Sequence, residues 1–421
     1  MKKALVIALV ALMAMTSVFA AGSKEDAAGG VTTIKLANWD TSTMAYIPAL
    51  VSAFEAKNPD VKVEIIDIPS ADYITKLNVM LNGGSDLDAF FIKEADKTKE
   101  FYDKGQLADL SGYVRANNVD LASFNGTAET FTFDGKLYAM PARTDFYVLY
   151  YNKDIFDAAG VAYPDNDMTW TEFEQVAKQI TAGSGATKKY GAFFHTWQAC
   201  VQNWGVQDGK HTIMDGEYSF LKPYYEMALR MQDNGSVMDF ATLKTSNIHY
   251  STPFIQGNVG MLPMGTWFMS TIIDKINVGE SNINWGVAVI PHAENVPNGY
   301  TVGSTTPIAV NNASKKKDAA WKLADFISGP EGAAIYAQYG QIPASATDAT
   351  LSAIASMAGM PAGTADALKV TNISADRPAM DKVGVVNQML GEEHSLIMLG
   401  ELSVDAGIQE MNTRFVEVTR D

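Results

Sequence analysis

Cysteine is almost missing from this 421-residue chain: Cys200 is the single one, so no intramolecular disulfide can form and no thiolate metal cluster can be assembled. Basic residues are in the minority, 32 Lys and Arg against 48 Asp and Glu, for a formal charge of −16. Such a surface is repelled by phosphate backbones and anionic lipids, which argues against a nucleic-acid or membrane-surface partner and for a freely diffusing monomer. Histidine is scarce. His195, His211, His249, His292 and His394 stand at no ligand spacing. The chain has no nucleophile elbow, no His-Glu-x-x-His and no phosphate loop. Its many acids could supply the paired carboxylates of a glycoside hydrolase, but abundant acids in an acidic chain usually form a solvated face.

Long apolar runs are also lacking after the first residues. Met1-Lys2-Lys3 is followed by an apolar stretch from Ala4 to Met15, then Thr16-Ser17-Val18-Phe19-Ala20, with small residues at Val18 and Ala20. A charged start, a short apolar run and a small-residue cleavage site are the parts of an export signal cut after Ala20. The run falls short of the roughly 20 residues that span a bilayer. No cysteine follows it, so the expected product is periplasmic and carries no lipid anchor. Residues 21–30 read as a flexible leader.

What is present organises into α/β units. Thr33 to Ala37 reads as a strand, and Met44, Ile47, Val51 and Phe54 keep helical spacing up to the Asn58-Pro59-Asp60 break. Val61, Val63 and Ile65 alternate as a second strand, Ser70 is placed to cap a helix, and Asp88 to Ile92 is a buried third strand. That β-α-β-α-β order predicts a parallel sheet, with ligands beyond the carboxyl ends of its strands. Trp39, Asp40, Lys93 and Glu94 stand there. Phe131 to Tyr138 predicts a hairpin around Asp134-Gly135, followed by a strand from Phe146 to Tyr151. Thr169-x-x-Glu172 is a capping box, and Ser403 can cap a final helix. Strands are also predicted at Tyr190–Phe194, Val259–Met264, Ile283–Ile290 and Gly303–Val310. Residues 344–366 give no clear pattern beyond a helix plus loop.

Four stretches, in order, resemble the maltose-binding type of extracellular solute-binding protein, a sugar-binding family of ABC importers. They are Phe54-Glu55-Ala56-Lys57-Asn58-Pro59-Asp60; Gly135-Lys136-Leu137-Tyr138-Ala139-Met140-Pro141 running on to Tyr151-Asn152-Lys153-Asp154; Gln256-Gly257-Asn258-Val259-Gly260-Met261 with Gly265-Thr266-Trp267; and Ala319-Ala320-Trp321 to Ile327 with Tyr339-Gly340-Gln341-Ile342-Pro343. The resemblance implies the type II periplasmic binding protein fold: two α/β lobes, each a mainly parallel sheet flanked by helices, joined by a hinge. Carried onto this chain, lobe one is 31–141 with 292–343, and lobe two is 142–291 with 344–421. It implies a mono- or oligosaccharide held in the interlobe cleft without chemical change, no cofactor or metal, and delivery to the permease of an ABC importer.

A sugar presents hydroxyls at its edge and C–H patches on its faces, so its site needs flat aromatic walls and fixed polar groups. The chain has seven tryptophans. Trp267, following Gly265, resembles the family's aromatic platform; Trp39 and Trp197 are further candidates, whereas Trp170, Trp204, Trp285 and Trp321 read as core. Asp145 stands where the family carries an acidic residue at the lobe crossing, with Arg143 beside it to donate to the sugar or to orient the carboxylate. Arg377, next to Pro378, and Tyr151 complete the candidates. At Ile92-Lys93-Glu94 the chain departs from the family's aromatic and acidic pattern. Polyols and glycerol phosphodiesters are the alternative cargoes; a phosphate would call for a denser Lys and Arg cluster than Lys93 and Arg143 supply.

Overall fold

The computed structural model describes residues 30–420 apart from Ser85 and Asn125. The expected export signal and all but the last residue of the leader lie outside it. Eleven strands are present among the described residues: β1 Thr32–Trp39, β2 Val61–Ile68, β3 Ala89–Phe91, β4 Thr132–Phe133, β5 Lys136–Leu137, β6 Ala139–Asn152, β7 Tyr190–Ala192, β8 Val259–Gly265, β9 Trp285–Val289, β10 Tyr300–Val310 and β11 Asn372–Ala375.

The opening follows the expected β-α-β-α-β order. β1 pairs in parallel with β2 and with β3. Between them, helix Tyr46–Lys57 buries Tyr46, Ile47, Leu50, Val51 and Phe54, one apolar stripe at helical spacing. The β4–β5 hairpin turns through Asp134 and Gly135 at φ 50° and 74°. Two positive φ values make this the type I′ geometry that suits the twist of paired strands. Thr169 and Glu172 form the capping box at helix Trp170–Ile180, and Ser403 caps helix Val404–Thr419. Ser70 does not cap. Its backbone N–H is bound by Asp40 and its carbonyl by Lys93, so the chain makes a short 3-10 turn and the α-helix starts at Tyr73. Residues 344–366 contain helix Asp348–Ala355, capped by Thr347, and reach into helix Thr364–Ala367.

β6 and β10 pair antiparallel and run between two separate hydrophobic cores. The first core gathers Ile34 to Ala142 with Ile308 to Tyr336 and Ala344. The second gathers Phe146 to Val302, Ile342 and Ile354 to Met411. The chain therefore passes between cores within β6, within β10 and near Ile342–Ala344. β10 pairs antiparallel with β3 on one side of this crossing, while β6 pairs antiparallel with β8 and β9 on the other, and β7 pairs in parallel with β8. The result is a mixed α/β, two-lobed fold. Burying a Leu or Phe completely, as at Leu36, Phe90, Leu262 and Phe268, contributes about 1.5–3 kcal/mol each, so each lobe is stabilised by a core of its own. Among the described residues no helix is long and apolar enough to cross a membrane.

Candidate functional site

Side chains alternate across β6, so Arg143 and Asp145 share one face at the crossing. They are 9 % and 4 % exposed. Arg143 donates to Asp145, and also to Gln341 Oε1 at 3.2 Å. Thr266 Oγ1 donates to the second Asp145 oxygen at 3.1 Å. The guanidinium also lies 5.9 Å from the Tyr46 ring centroid. Burial pushes the Asp145 carboxyl up from the usual carboxylate range; the Arg143 charge and the Thr266 hydroxyl oppose it. Burial likewise disfavours the Arg143 charge, but the Asp145 carboxylate together with Tyr46 and Tyr336 outweighs it and holds the guanidinium above its ordinary value. Through Gln341 the pair ties β6 to the crossing near 342–344, and Gln341 in turn donates to Ser270 Oγ at 3.0 Å.

The second lobe supplies an aromatic wall next to this pair. Trp267 is partly buried directly before helix Phe268–Asn277. Its Nε1 donates to the Tyr250 hydroxyl at 3.0 Å, and its ring meets Tyr147 edge-on at 5.7 Å. Gly265 is required by packing: a Cβ there would come within 2.0 Å of Trp267 Cζ3. Its carbonyl accepts from the Tyr150 hydroxyl at 2.9 Å, which fixes the end of β8. Beyond Tyr250 the wall continues through His195, which stacks on Trp197 with centroids 4.4 Å apart and planes 13° from parallel. His195, His249 and Trp197 all meet Tyr250 within 5.6 Å. Trp197 is 39 % exposed, the most open tryptophan of the wall. Burial, aided by the neighbouring His249, lowers the His195 pKa to about 4, and burial lowers that of His249. Both imidazoles are neutral near pH 7. The Thr196 backbone N–H donates to His195 Nδ1 at 2.6 Å, which leaves the ring proton on Nε2.

The first-lobe candidates are distributed differently. Trp39 is buried in the first core, 6 % exposed, with its ring edge-on to Tyr73 at 5.2 Å. Asp40 and Lys93 converge on the Ser70 backbone, through Ser70 N–H to Asp40 Oδ1 at 2.9 Å and Lys93 Nζ to Ser70 O at 3.1 Å. Glu94 is exposed. Asp96, which no motif in the sequence singles out, is a carboxylate only 5 % exposed just beyond β3. Burial raises its pKa to about 6, with Glu94 adding to the rise and the charges of Lys97 and Arg377 opposing it. Its place in Glu94-Ala95-Asp96, after a strand end, was the available signal. Arg377 donates to the Asp376 carbonyl at 2.9 Å and to its carboxylate.

The structure thus brings Arg143, Asp145, Gly265 and Trp267 together with Tyr46, Tyr250 and Gln341. It joins Trp197 to them through Tyr250, and sets Arg377 beside Asp96. Trp170 and Trp204 lie tilted against each other at 4.6 Å, and Trp285 and Trp321 pack on Tyr150 and Tyr113. Tyr151 packs on Phe156, and burial pushes the Cys200 thiol up to about 12. On the opposite face of β6, Thr144 and Phe146 line a cavity of about 630 Å³ with Phe131, Thr305, Ile342 and Ile373.

A family model described as bacterial extracellular solute-binding protein matches residues 38–334. A solved sugar transporter of Rhizobium etli, in an open conformation, is 43 % identical, with a TM-score of 0.81 over 92 % of this chain and 100 % of its own. An ABC substrate-binding protein of Listeria monocytogenes in complex with cycloalternan shares the fold at 24 % identity, TM-score 0.80, over 92 % of this chain and 98 % of its own. The maltooligosaccharide ABC transporter solute-binding lipoprotein of Streptococcus pneumoniae is 25 % identical over 326 residues, 72 % of this chain and 70 % of that protein. With its two cores, its threefold crossing and this match over most of its length, the chain belongs to the bacterial extracellular solute-binding protein family.

Proposed function

We propose that this chain captures a mono- or oligosaccharide between its lobes, leaves it chemically unchanged, and delivers it to the permease of an ABC importer as an exported, periplasmic monomer. The reading is carried by one observation. A partly buried indole, Trp267, stands beside a buried carboxylate–guanidinium pair, Asp145 and Arg143, where the chain crosses between lobes. An aromatic face covers the C–H side of a sugar, while charged groups with fixed geometry accept from and donate to its hydroxyls. The 43 % identical relative being a sugar transporter supports the same ligand class.

In this reading Trp267 is the platform, Trp197 extends the wall, and Asp145 and Arg143 meet hydroxyls at the hinge. Asp40, Lys93, Glu94 and Arg377 are the polar groups that approach as the lobes close, and Trp39 backs the first-lobe wall from within its core. Lobe one is 31–141 and the segment up to 343; we place the second crossing within β10 rather than at residue 292, because Val302 packs in the second core and Ile308 in the first. Ligand contacts drawn from both lobes exist only when the lobes meet, so binding shifts the population toward closure.

The test is a thermal-shift screen against neutral mono- and oligosaccharides, followed by chromatography of the recovered ligand. Ligand that binds only the folded state raises the melting temperature. A sugar that does so and is recovered intact supports the proposal. Recovery of a cleaved sugar, or stabilisation only by phosphodiesters, would overturn it.

A further inference from the structure

The lobes also touch away from the aromatic wall around Trp267. Helix Lys97–Asp103 belongs to the first lobe, since its Phe101 lies in the first core. Segment 376–384 leads into helix Val383–Met398 of the second lobe, whose Val383 and Val386 lie in the second core. Lys99 Nζ reaches Asp381 Oδ1 across this boundary at 2.7 Å. Two residues earlier, Lys97 Nζ lies 3.0 Å from where a Cβ on Gly384 would be, so the missing side chain makes room for it. Asp96, at the start of the same turn, feels the charge of Arg377 from the other lobe. One ion pair, one close approach and one electrostatic interaction therefore join residues 96–99 to residues 377–384, and they carry charge of both signs.

We propose that Lys99 and Asp381 form an ionic latch that holds a fraction of the ligand-free protein closed. The proposal concerns regulation of the cleft and rests on the two-lobed reading above, but it requires no particular ligand. Its strength is set by competition. Lys99 Nζ also contacts both oxygens of Asp103 on its own helix, at 2.6 and 2.7 Å. When the lobes part, the ammonium keeps Asp103 and only Asp381 returns to water. The Asp381 side chain is already 73 % exposed in contact. A latch of this kind biases the equilibrium without locking it, as a carrier that must reopen requires; exposed pairs are worth up to about five-fold in an equilibrium constant.

The experiment is a distance distribution between spin labels placed one on each lobe, measured on the full chain without any sugar. Lys99→Met and Asp381→Asn should each lower the closed fraction by about two- to five-fold. Asp103→Asn should raise it, because it removes the competitor for Lys99 and leaves the latch partner in place. Salt at about 1 M should lower the closed fraction of the wild type and leave Asp381→Asn unchanged, since screening then acts within about 3 Å. Indistinguishable distributions in wild type and both latch variants would overturn the proposal, as would a wild type wholly open without ligand, or Asp103→Asn shifting toward open. Failure of every sugar to bind would sink the proposed ligand class and leave these distributions unaffected.

Discussion

The indole nitrogen of Trp267 donates to the Tyr250 hydroxyl at 3.0 Å, while Gly265 leaves the space its six-membered ring occupies. Orientation and room for the indole therefore come from two residues outside it. Tyr250 is also the hub on which His195, Trp197 and His249 meet. Tyr250→Phe keeps the packing and removes the acceptor. It should cost about 0.5–1.5 kcal/mol of folding stability and weaken sugar binding, as read by thermal denaturation and titration calorimetry.

Gly265→Ala tests the same geometry from the other side. A methyl group cannot fit 2.0 Å from Cζ3, so the indole must move. Overpacking of this kind costs about 1–3 kcal/mol of stability. Affinity should fall with it, and an Ala variant that binds as tightly as the wild type would show that Trp267 does not touch ligand.

Asp145 and Arg143 are both nearly inaccessible, so removing one leaves the other buried without its counter-charge. Arg143→Met should destabilise the fold by about 3–5 kcal/mol in chemical denaturation. The double change Arg143→Met with Asp145→Leu should recover much of that stability yet still fail to bind, because the polar groups offered to sugar hydroxyls are gone. Recovery of binding in the double variant would assign the pair a purely structural role.

Asp96 makes stability depend on pH in a direction opposite to that of most carboxylates. Its pKa is raised from an unfolded value near 3.8 to about 6 by burial. The folded state thus holds its proton more tightly, and its favourable contribution is complete below pH 3.8 and lost as pH rises through about 6. Asp96→Asn should raise the melting temperature relative to wild type at pH 7.5, and that advantage should disappear near pH 4.

The imidazoles of the wall give the opposite expectation. With the His195 pKa lowered to about 4, that ring stays neutral under Trp197 well below neutral pH. Protonation of His195 should therefore make no contribution to ligand affinity between pH 8 and pH 5.5. A transition in Trp197 fluorescence near pH 6.5, removed by His195→Gln, would contradict this.

Much of the fold was legible because it rests on local signals. The Asp134-Gly135 turn, the Thr169–Glu172 capping box and the Ser403 cap each follow from backbone needs met within a few residues. Ser70 misled because long-range groups, Asp40 and Lys93, had claimed its backbone before the helix could form. The site was half legible. Trp267 carries a motif, whereas Asp96, Tyr250 and Gln341 gain their roles from partners far along the chain. Arg143 and Gln341, for instance, are 198 positions apart. Trp39 shows the converse, since the last residue of a strand can face its own core as readily as a cleft. The Lys99–Asp381 contact likewise has no local signature, because each residue reads as an ordinary surface charge.

Calorimetric titration of wild type and Trp267→Ala with the same sugar asks whether the ligand is held against this indole at the lobe crossing. Tight binding to the wild type is expected, with a loss of about 1–3 kcal/mol, or about 5–150-fold, in a variant that melts cooperatively. Equal affinity in the two proteins would contradict it.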